Sequence, residues 1–177
     1  MTSNPDVRYP VGRFDFNAPF RSEDRPLFLA QLAAAPEKLR AAVIGLSDNQ
    51  LDTTYRPDGW TVRQVVHHLA DAQVNWYIRT KLAVTEYLPV TKPYAEQLWA
   101  ELADSRSGPV EPSLQLFGGV TTRWCLFLES LTPDDWLRKF SNPEWGTLTV
   151  ENTVRSMAWH SRHHTAHITE LRNGMGW

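Results

Sequence analysis

The sequence is poor in the features that mark secreted, membrane-embedded and nucleic-acid-binding proteins. It has one cysteine, Cys125, among 177 residues, which excludes a disulfide within the chain and fits a reducing cytoplasm. No stretch approaches the ~20 apolar residues of a membrane-spanning helix, and residues 1–10 lack the apolar segment of a secretory signal. The formal net charge of −2 offers no attraction to nucleic acid or an anionic membrane. We therefore expect a cytoplasmic protein that binds neither.

The length and apolar spacing of the chain favour one all-α domain spanning residues 1–177. A chain of 177 residues is long enough to bury one substantial core and short for two. Apolar residues recur every three or four positions through four long segments, which is the period of an amphipathic helix. The sequence contains no convincing series of strands. The expected architecture is a four-helix bundle with short extra helices.

Proline and capping residues set the expected limits of these elements. Prolines make residues 1–21 an extended N-terminal arm. A short amphipathic helix is expected over residues 94–104, with Leu98, Trp99 and Leu102 as its apolar face, and another after the N-cap Thr132. Residues 140–148 should form an irregular or hairpin-like connection. The first long helix should be kinked or broken at Pro36. The four long helices are expected at about residues 22–46, 62–85, 112–131 and from Thr147 or Thr149 to 172. Thr61 and Gln64 should form a capping box at the start of the second.

Four of the six histidines lie within residues 159–167. In a helix, His160, His164 and His167 recur at spacings of four and three and share one face. Imidazoles one turn apart, with Cβ atoms roughly 5–6 Å apart, can direct nitrogen atoms at one divalent ion. Without a third ligand, the His160–His164 pair is also compatible with a surface or core position that binds no metal.

The other two histidines, His67 and His68, are adjacent in the second long helix. At about 100° per residue, His68 lies on the flank of the apolar stripe and can face the bundle interior. His67 points nearly opposite, towards solvent or a partner. The sequence therefore predicts a metal site between two helices, with His68, His160 and His164 as its ligands.

Several neighbouring residues have more than one possible role. Asp71 and Glu170 could accept hydrogen bonds from the outer N–H groups of the ligands. His167 could be a fourth ligand, an outer hydrogen-bonding group or a pocket wall; we favour the last two because a fourth histidine would close the open position. His163 is expected to be exposed to solvent, and Cys125 to be a small buried hydrophobe.

Three neutral imidazoles suit one divalent metal, and we expect Zn, with Ni or Fe as alternatives. They leave the full +2 charge on the ion and one tetrahedral position open, which is the catalytic pattern. A water in that position has a pKa near 7, and a thiol would lose its proton there. The hypotheses are a hydrolase that acts on a small substrate through metal-bound water, a transferase that uses a metal-bound thiolate, and a bundle that binds metal without catalysis.

Two segments resemble the DinB/YfiT family, and especially its YfiT branch. They are DGWTVRQVVHHLAD at residues 58–71 and WHSRHHTAHITEL at residues 159–171, within a similarity extending from about Tyr9 to Trp177. The resemblance implies a four-helix bundle with an unusual connection order, a homodimer, and metal ligands at His68, His160 and His164. It also implies a metal-dependent hydrolase or an S-transferase that uses a low-molecular-weight thiol of the bacillithiol type.

Overall fold

In the part of the chain that the structure describes, helices are joined by short connections and one β-hairpin. The computed structural model describes residues 6–15 and 18–177. Within these ranges a 3₁₀ turn at Ser22–Asp24 precedes α1 (Arg25–Ala33), α2 (Ala35–Val43), α3 (Asp48–Leu51), α4 (Val62–Thr85), α5 (Glu96–Ala100), α6 (Ala103–Ser107), α7 (Glu111–Glu129), α8 (Pro133–Trp136), β1 (Lys139–Asn142), β2 (Gly146–Thr149) and α9 (Val150–Met175).

The N-terminal arm precedes these elements. Its described part, residues 6–15 and 18–21, contains neither helix nor strand. Residues 1–5, 16 and 17 of the predicted arm lie outside the described residues. None of the helices in the described ranges is long and apolar enough to cross a membrane.

Four long helical units form a bundle in which the first two units are not neighbours. α1 and α2 make one unit broken at Ala34, with Pro36 in the first turn of α2, so the predicted break is confirmed. This unit packs against α7 and α9, and α4 packs against the same two helices. α4 therefore lies diagonally opposite the unit that precedes it. The predicted four-helix bundle is confirmed.

The core consists of two clusters of buried side chains that fix α4 against α7 and α9. One includes Leu39, Leu69, Phe117 and Ile168. The other includes Trp76, Trp124, Phe140 and Met157, with the half-buried Cys125 packed against it. Burying large apolar side chains supplies roughly 1.5–3 kcal/mol each. These contacts hold the histidine-bearing turns of α4 and α9 at a fixed separation.

Side-chain caps define where both histidine-bearing helices begin. The Gln64 N–H donates to Thr61 Oγ1 (3.2 Å) and the Thr61 N–H donates to Gln64 Oε1 (2.9 Å), which is the predicted capping box. At α9, the Asn152 N–H donates to Thr149 Oγ1 (3.1 Å). α9 ends at Met175, three residues later than expected, because Gly176, at φ 72°, provides the left-handed cap.

The connection between α4 and α7 departs from the sequence prediction. Residues 94–104 form two short helices rather than one, because Leu102 is extended (ψ 155°) between them. Leu98, Trp99 and Leu102, the expected apolar face, are 69%, 40% and 55% exposed. Polar contacts hold the segment instead, since Gln64 Nε2 donates to the Ala100 carbonyl at 2.8 Å. Beyond α8, residues 139–149 form an antiparallel hairpin, so the predicted hairpin-like connection is confirmed.

Candidate metal centre

Three histidines from two helices meet between α4 and α9. His68 lies in the second turn of α4, and His160 and His164 lie one turn apart on α9. The Nε2 atoms of His68 and His160 are 3.1 Å apart, and each ring offers a nitrogen within 4.8 Å of those of the other two. Two nitrogen ligands at 2.0–2.1 Å from a tetrahedral ion are about 3.3 Å apart. The three rings therefore fit around one divalent cation.

Burial keeps the three rings uncharged. Removal from water lowers the pKa of His68 and of His164 well below the usual range, and neighbouring imidazoles lower both further. Burial, followed by the nearby His167, lowers the pKa of His160 to about 4. Neutral imidazole is the form that binds metal. Near neutral pH all three histidines are already in that form.

The outer nitrogens of the three rings differ in their partners. His68 Nδ1 lies 3.4 Å from the Tyr94 hydroxyl. The Nδ1 atoms of His160 and His164 are buried and have no hydrogen-bond partner among the described residues. Among the described residues, therefore, only His68 has a side-chain partner at the ring nitrogen that faces away from the centre.

The two carboxylates predicted to accept hydrogen bonds from the ligands occupy different environments. Asp71 is half-buried, and burial followed by the nearby Asp104 raises its pKa to about 6. Glu170 is exposed. No side-chain hydrogen bond found within the described ranges joins either carboxylate to His68, His160 or His164. Their role as acceptors stays a prediction.

A cavity of about 580 Å³ opens beside the three histidines, all of which form part of its wall. Its other walls are largely aromatic: Phe14, Trp60, Trp76, Tyr94, Trp145 and Trp159. Trp76 and Trp145 stack with ring centroids 4.8 Å apart. Glu96, Asn152 and Arg155 add polar groups. The cavity can hold a small organic molecule against the histidine nitrogens.

A second histidine group overlaps the first. His163, His164 and His167 also offer nitrogens within 4.8 Å of one another. Neither His163 nor His167 belongs to the cavity wall. The His163 ring stacks on Trp159, with centroids 4.4 Å apart. The His167 ring stacks on Tyr55 at 4.1 Å.

The N-terminal arm runs along α9 and is held by three side chains of that helix, four and eight residues apart. His167 Nε2 donates to the Arg8 carbonyl (3.3 Å), Trp159 Nε1 to the Gly12 carbonyl (3.2 Å), and Arg155 to the carbonyls of Asp15 (3.0 Å) and Ala18. His163 lies between two of these anchors, with its ring centroid 5.9 Å from that of Tyr9. It is 7% exposed, so the predicted exposure of His163 is wrong. The arm covers it, and the arm's sequence has no period that indicates where it docks.

Comparison with known proteins identifies the family. The sequence model of the DinB superfamily matches residues 31–168. The chain belongs to the DinB superfamily. Among its DinB relatives, a protein of Geobacillus thermodenitrificans is 47% identical over 179 residues, covering all of both chains. One from Bacillus cereus is 45% identical over 172 residues, covering 97% of this chain and 99% of its own. Both are named "Putative metal-dependent hydrolase".

A solved structure has the same fold. YfiT from Bacillus subtilis matches with a TM-score of 0.93 and 44% sequence identity, covering 97% of this chain and 98% of its own. It is described as "a probable metal-dependent hydrolase with an unusual four-helix bundle topology". The family inferred from the two histidine-containing segments is confirmed.

Two features of this DinB bundle escape prediction from the sequence. The first is the burial of His67, which was expected to face solvent or a partner and is 7% exposed. Its Nδ1 lies 2.7 Å from Ser113 Oγ, and its Nε2 lies 3.3 Å from the Gly108 carbonyl. The expectation of exposure is wrong because the first turn of α7 and the C-terminal end of α6 cover that face of α4. Tyr94 was also missed, since it follows Pro93 in an irregular connection whose only signal is that it is aromatic.

Proposed function

We propose that the chain is a hydrolase that acts on a small organic molecule with one divalent metal held by His68, His160 and His164. The observation that carries this proposal is the convergence of the three ring nitrogens, within 4.8 Å of one another, at the wall of a cavity of about 580 Å³. The names of the relatives, at 45–47% identity over nearly the whole chain, support the same reaction class.

The chemistry of the donor set fits a catalytic ion. Three neutral nitrogens satisfy three of the four positions that Zn²⁺ prefers, and they leave its charge uncompensated. When bound, such an ion lowers the pKa of a water in the remaining position and so supplies a nucleophile at neutral pH. Zinc fits best, and Ni²⁺ or Fe²⁺ also bind imidazole.

The position of the cavity favours this histidine group over the overlapping one. His68, His160 and His164 line the cavity, whereas His163 and His167 do not. His167 already donates from Nε2 to the Arg8 carbonyl, and its ring is covered by Tyr55. Of the second group only His164 lines the cavity, so this group is less well placed to present a metal to a substrate.

The walls of the cavity supply binding for the substrate rather than a second reactive group. Trp60 lies next to the centre, with its ring centroid 4.6 Å from that of His68. Apolar walls exclude water and give an organic substrate its affinity. Asn152 adds a side-chain amide at the same surface. The chain's contribution is to bind and orient the substrate beside the open coordination position.

An assay of both candidate reactions tests this proposal. Protein loaded with one equivalent of Zn²⁺ is incubated with chromogenic esters, lactones and amides, and separately with a low-molecular-weight thiol and a chromogenic electrophile. We expect hydrolysis that requires the metal and is lost on chelation. His68→Ala removes one of three ligands, and we expect it to reduce the hydrolytic rate at least about 100-fold. Loss of only a hydrogen-bonded partner behind a ligand already costs about 10–100-fold in metal affinity or activity.

The neighbouring His67 provides the matched control. Because its ring is turned away from the cavity towards Ser113 and Gly108, His67→Gln should keep most of the hydrolytic rate. Thiol conjugation without any hydrolysis would replace the hydrolase assignment by a thiol transferase. Stoichiometric metal with neither reaction across the panel would favour a bundle that binds metal without catalysis.

A further inference from the structure

The Tyr94 hydroxyl is placed behind one histidine of the candidate centre. Its oxygen lies 3.4 Å from His68 Nδ1, while His68 Nε2 faces His160 Nε2 at 3.1 Å. The two nitrogens of the His68 ring are thus directed to different partners, one to the centre and one to Tyr94. Within the described ranges, the outer nitrogens of His160 and His164 have no such partner.

A hydroxyl suits this position whether or not metal is bound. When Nε2 binds an ion, the ring proton must be on Nδ1, and the hydroxyl oxygen can accept it. When His68 Nε2 carries the proton and donates to His160, the hydroxyl can donate to Nδ1. His68 is only 8% exposed, and a buried donor without an acceptor costs about 1–3 kcal/mol. Phenylalanine at position 94 would leave the Nδ1–H donor without an acceptor when metal is bound. Without metal the ring proton can stay on Nε2 and be donated to His160, so the metal-bound state loses more.

Tyr94 is itself held firmly and stays protonated. Its ring packs against Trp99, with centroids 4.9 Å apart, and it immediately precedes the short helices that dock on α4. Burial, followed by the negative charge of Asp71, raises the pKa of Tyr94 well above its usual range. A phenolic hydroxyl can act as a hydrogen-bond donor and as an acceptor.

We propose that Tyr94 is a positioning residue that fixes the orientation of the His68 ring, so that Nε2 is directed at the metal. This inference rests on the proposed metal centre and adds a residue outside its ligand set. Hydrogen-bonded partners behind histidine ligands typically raise metal affinity 10–100-fold. The hydroxyl, rather than the ring of Tyr94, supplies that effect.

Zinc affinity measured by competition with a chromophoric chelator tests the role of the hydroxyl. Tyr94→Phe keeps the ring that packs on Trp99 and is expected to bind Zn²⁺ about 10–100-fold more weakly. The matched control is Tyr77→Phe, which removes a hydroxyl from α4 at a residue that does not line the cavity. It should bind Zn²⁺ as the wild type does. Thermal unfolding of the metal-free proteins, expected to be similar for all three, separates positioning from a structural role.

A nuclear magnetic resonance readout adds a signature that lost packing would not produce. In zinc-loaded wild-type protein the His68 Nδ1–H proton should be visible because the Tyr94 oxygen protects it, and in Tyr94→Phe it should exchange into water. Unchanged zinc affinity and an unchanged His68 signal in Tyr94→Phe, beside lost binding in His160→Ala, overturn the role of Tyr94 alone. Undiminished zinc binding in His160→Ala overturns the metal centre, and the role of Tyr94 with it.

Discussion

Replacing His160 by alanine is expected to abolish stoichiometric zinc binding. His160 Nε2 lies 3.1 Å from His68 Nε2, and the His160 ring belongs to the cavity-lining group but not to the overlapping one. Loss of one of three ligands should weaken Zn²⁺ binding by at least about 100-fold, because loss of only a hydrogen-bonded partner behind a ligand already weakens it 10–100-fold. Elemental analysis of untagged protein should fall from about one equivalent of metal to a small fraction.

His163→Ala is the control on the same helix. His163 belongs only to the overlapping group and packs against Trp159 and Tyr9, so its loss should loosen the arm while leaving about one equivalent of zinc. The reverse pattern, with metal lost in His163→Ala and retained in His160→Ala, would assign the ion to His163, His164 and His167. Scattered, substoichiometric metals in the wild type would favour adventitious binding.

The metal-free protein is expected to lose stability steeply as the pH falls below 6.5. The pKa values of all six histidines are lowered, in each case mainly by burial. Between pH 6.5 and the lowered values, the unfolded chain binds protons that the folded chain does not, so protonation favours unfolding. Each histidine that stays neutral adds about 1.4 kcal/mol per pH unit to the slope. His160, with its pKa lowered to about 4, contributes about 3 kcal/mol over that interval.

Two carboxylates act in the opposite direction. The pKa of Asp71 is raised to about 6 by burial and by Asp104, and burial also raises the pKa of Glu151, so their protonation in acid favours the folded state. Asp71 offsets about one histidine, and the other histidines still dominate. Because domains are stable by only about 5–15 kcal/mol, we expect the metal-free protein to unfold in acid without denaturant.

Urea unfolding followed by tryptophan fluorescence from pH 7.5 to 4.5, with a chelator present, measures this slope. His163→Phe keeps an aromatic ring on Trp159 and removes a group whose pKa is lowered to about 3. Its slope should be smaller by about 1.4 kcal/mol per pH unit. An unfolding free energy that is flat between pH 6.5 and 5 would show that the histidines titrate normally. Bound zinc should move the acid transition to lower pH, because metal and protons compete for the same nitrogens.

Structural features that depend on a regular helical period could be predicted from the sequence. Helical spacing placed His160 and His164 on one face of α9, and the apolar stripe of α4 distinguished His68 from His67 as the histidine directed at the bundle interior. The structure brings these three together. The capping box at Thr61 and the break at Pro36 were also readable, because each depends on residues within a few positions of one another.

Contacts made by non-periodic segments that fold back over the helices could not be predicted from the sequence. The burial of His163 depends on the arm, and the burial of His67 depends on Ser113 and Gly108, 46 and 41 residues away. Tyr94 reaches His68 across a separation of 26 residues. Such contacts are set by tertiary packing, which helical periodicity does not encode. The homodimer implied by the family resemblance stays a prediction.

The most direct test is to locate the ion by anomalous diffraction from crystals of the protein loaded with one equivalent of Zn²⁺. We expect a single peak at about 2.0–2.1 Å from Nε2 of His68, Nε2 of His160 and a ring nitrogen of His164, with its fourth position open to the cavity. A peak beside His163 and His167, or an ion with four protein ligands, would contradict the proposed centre and leave its hydrolytic chemistry without a site.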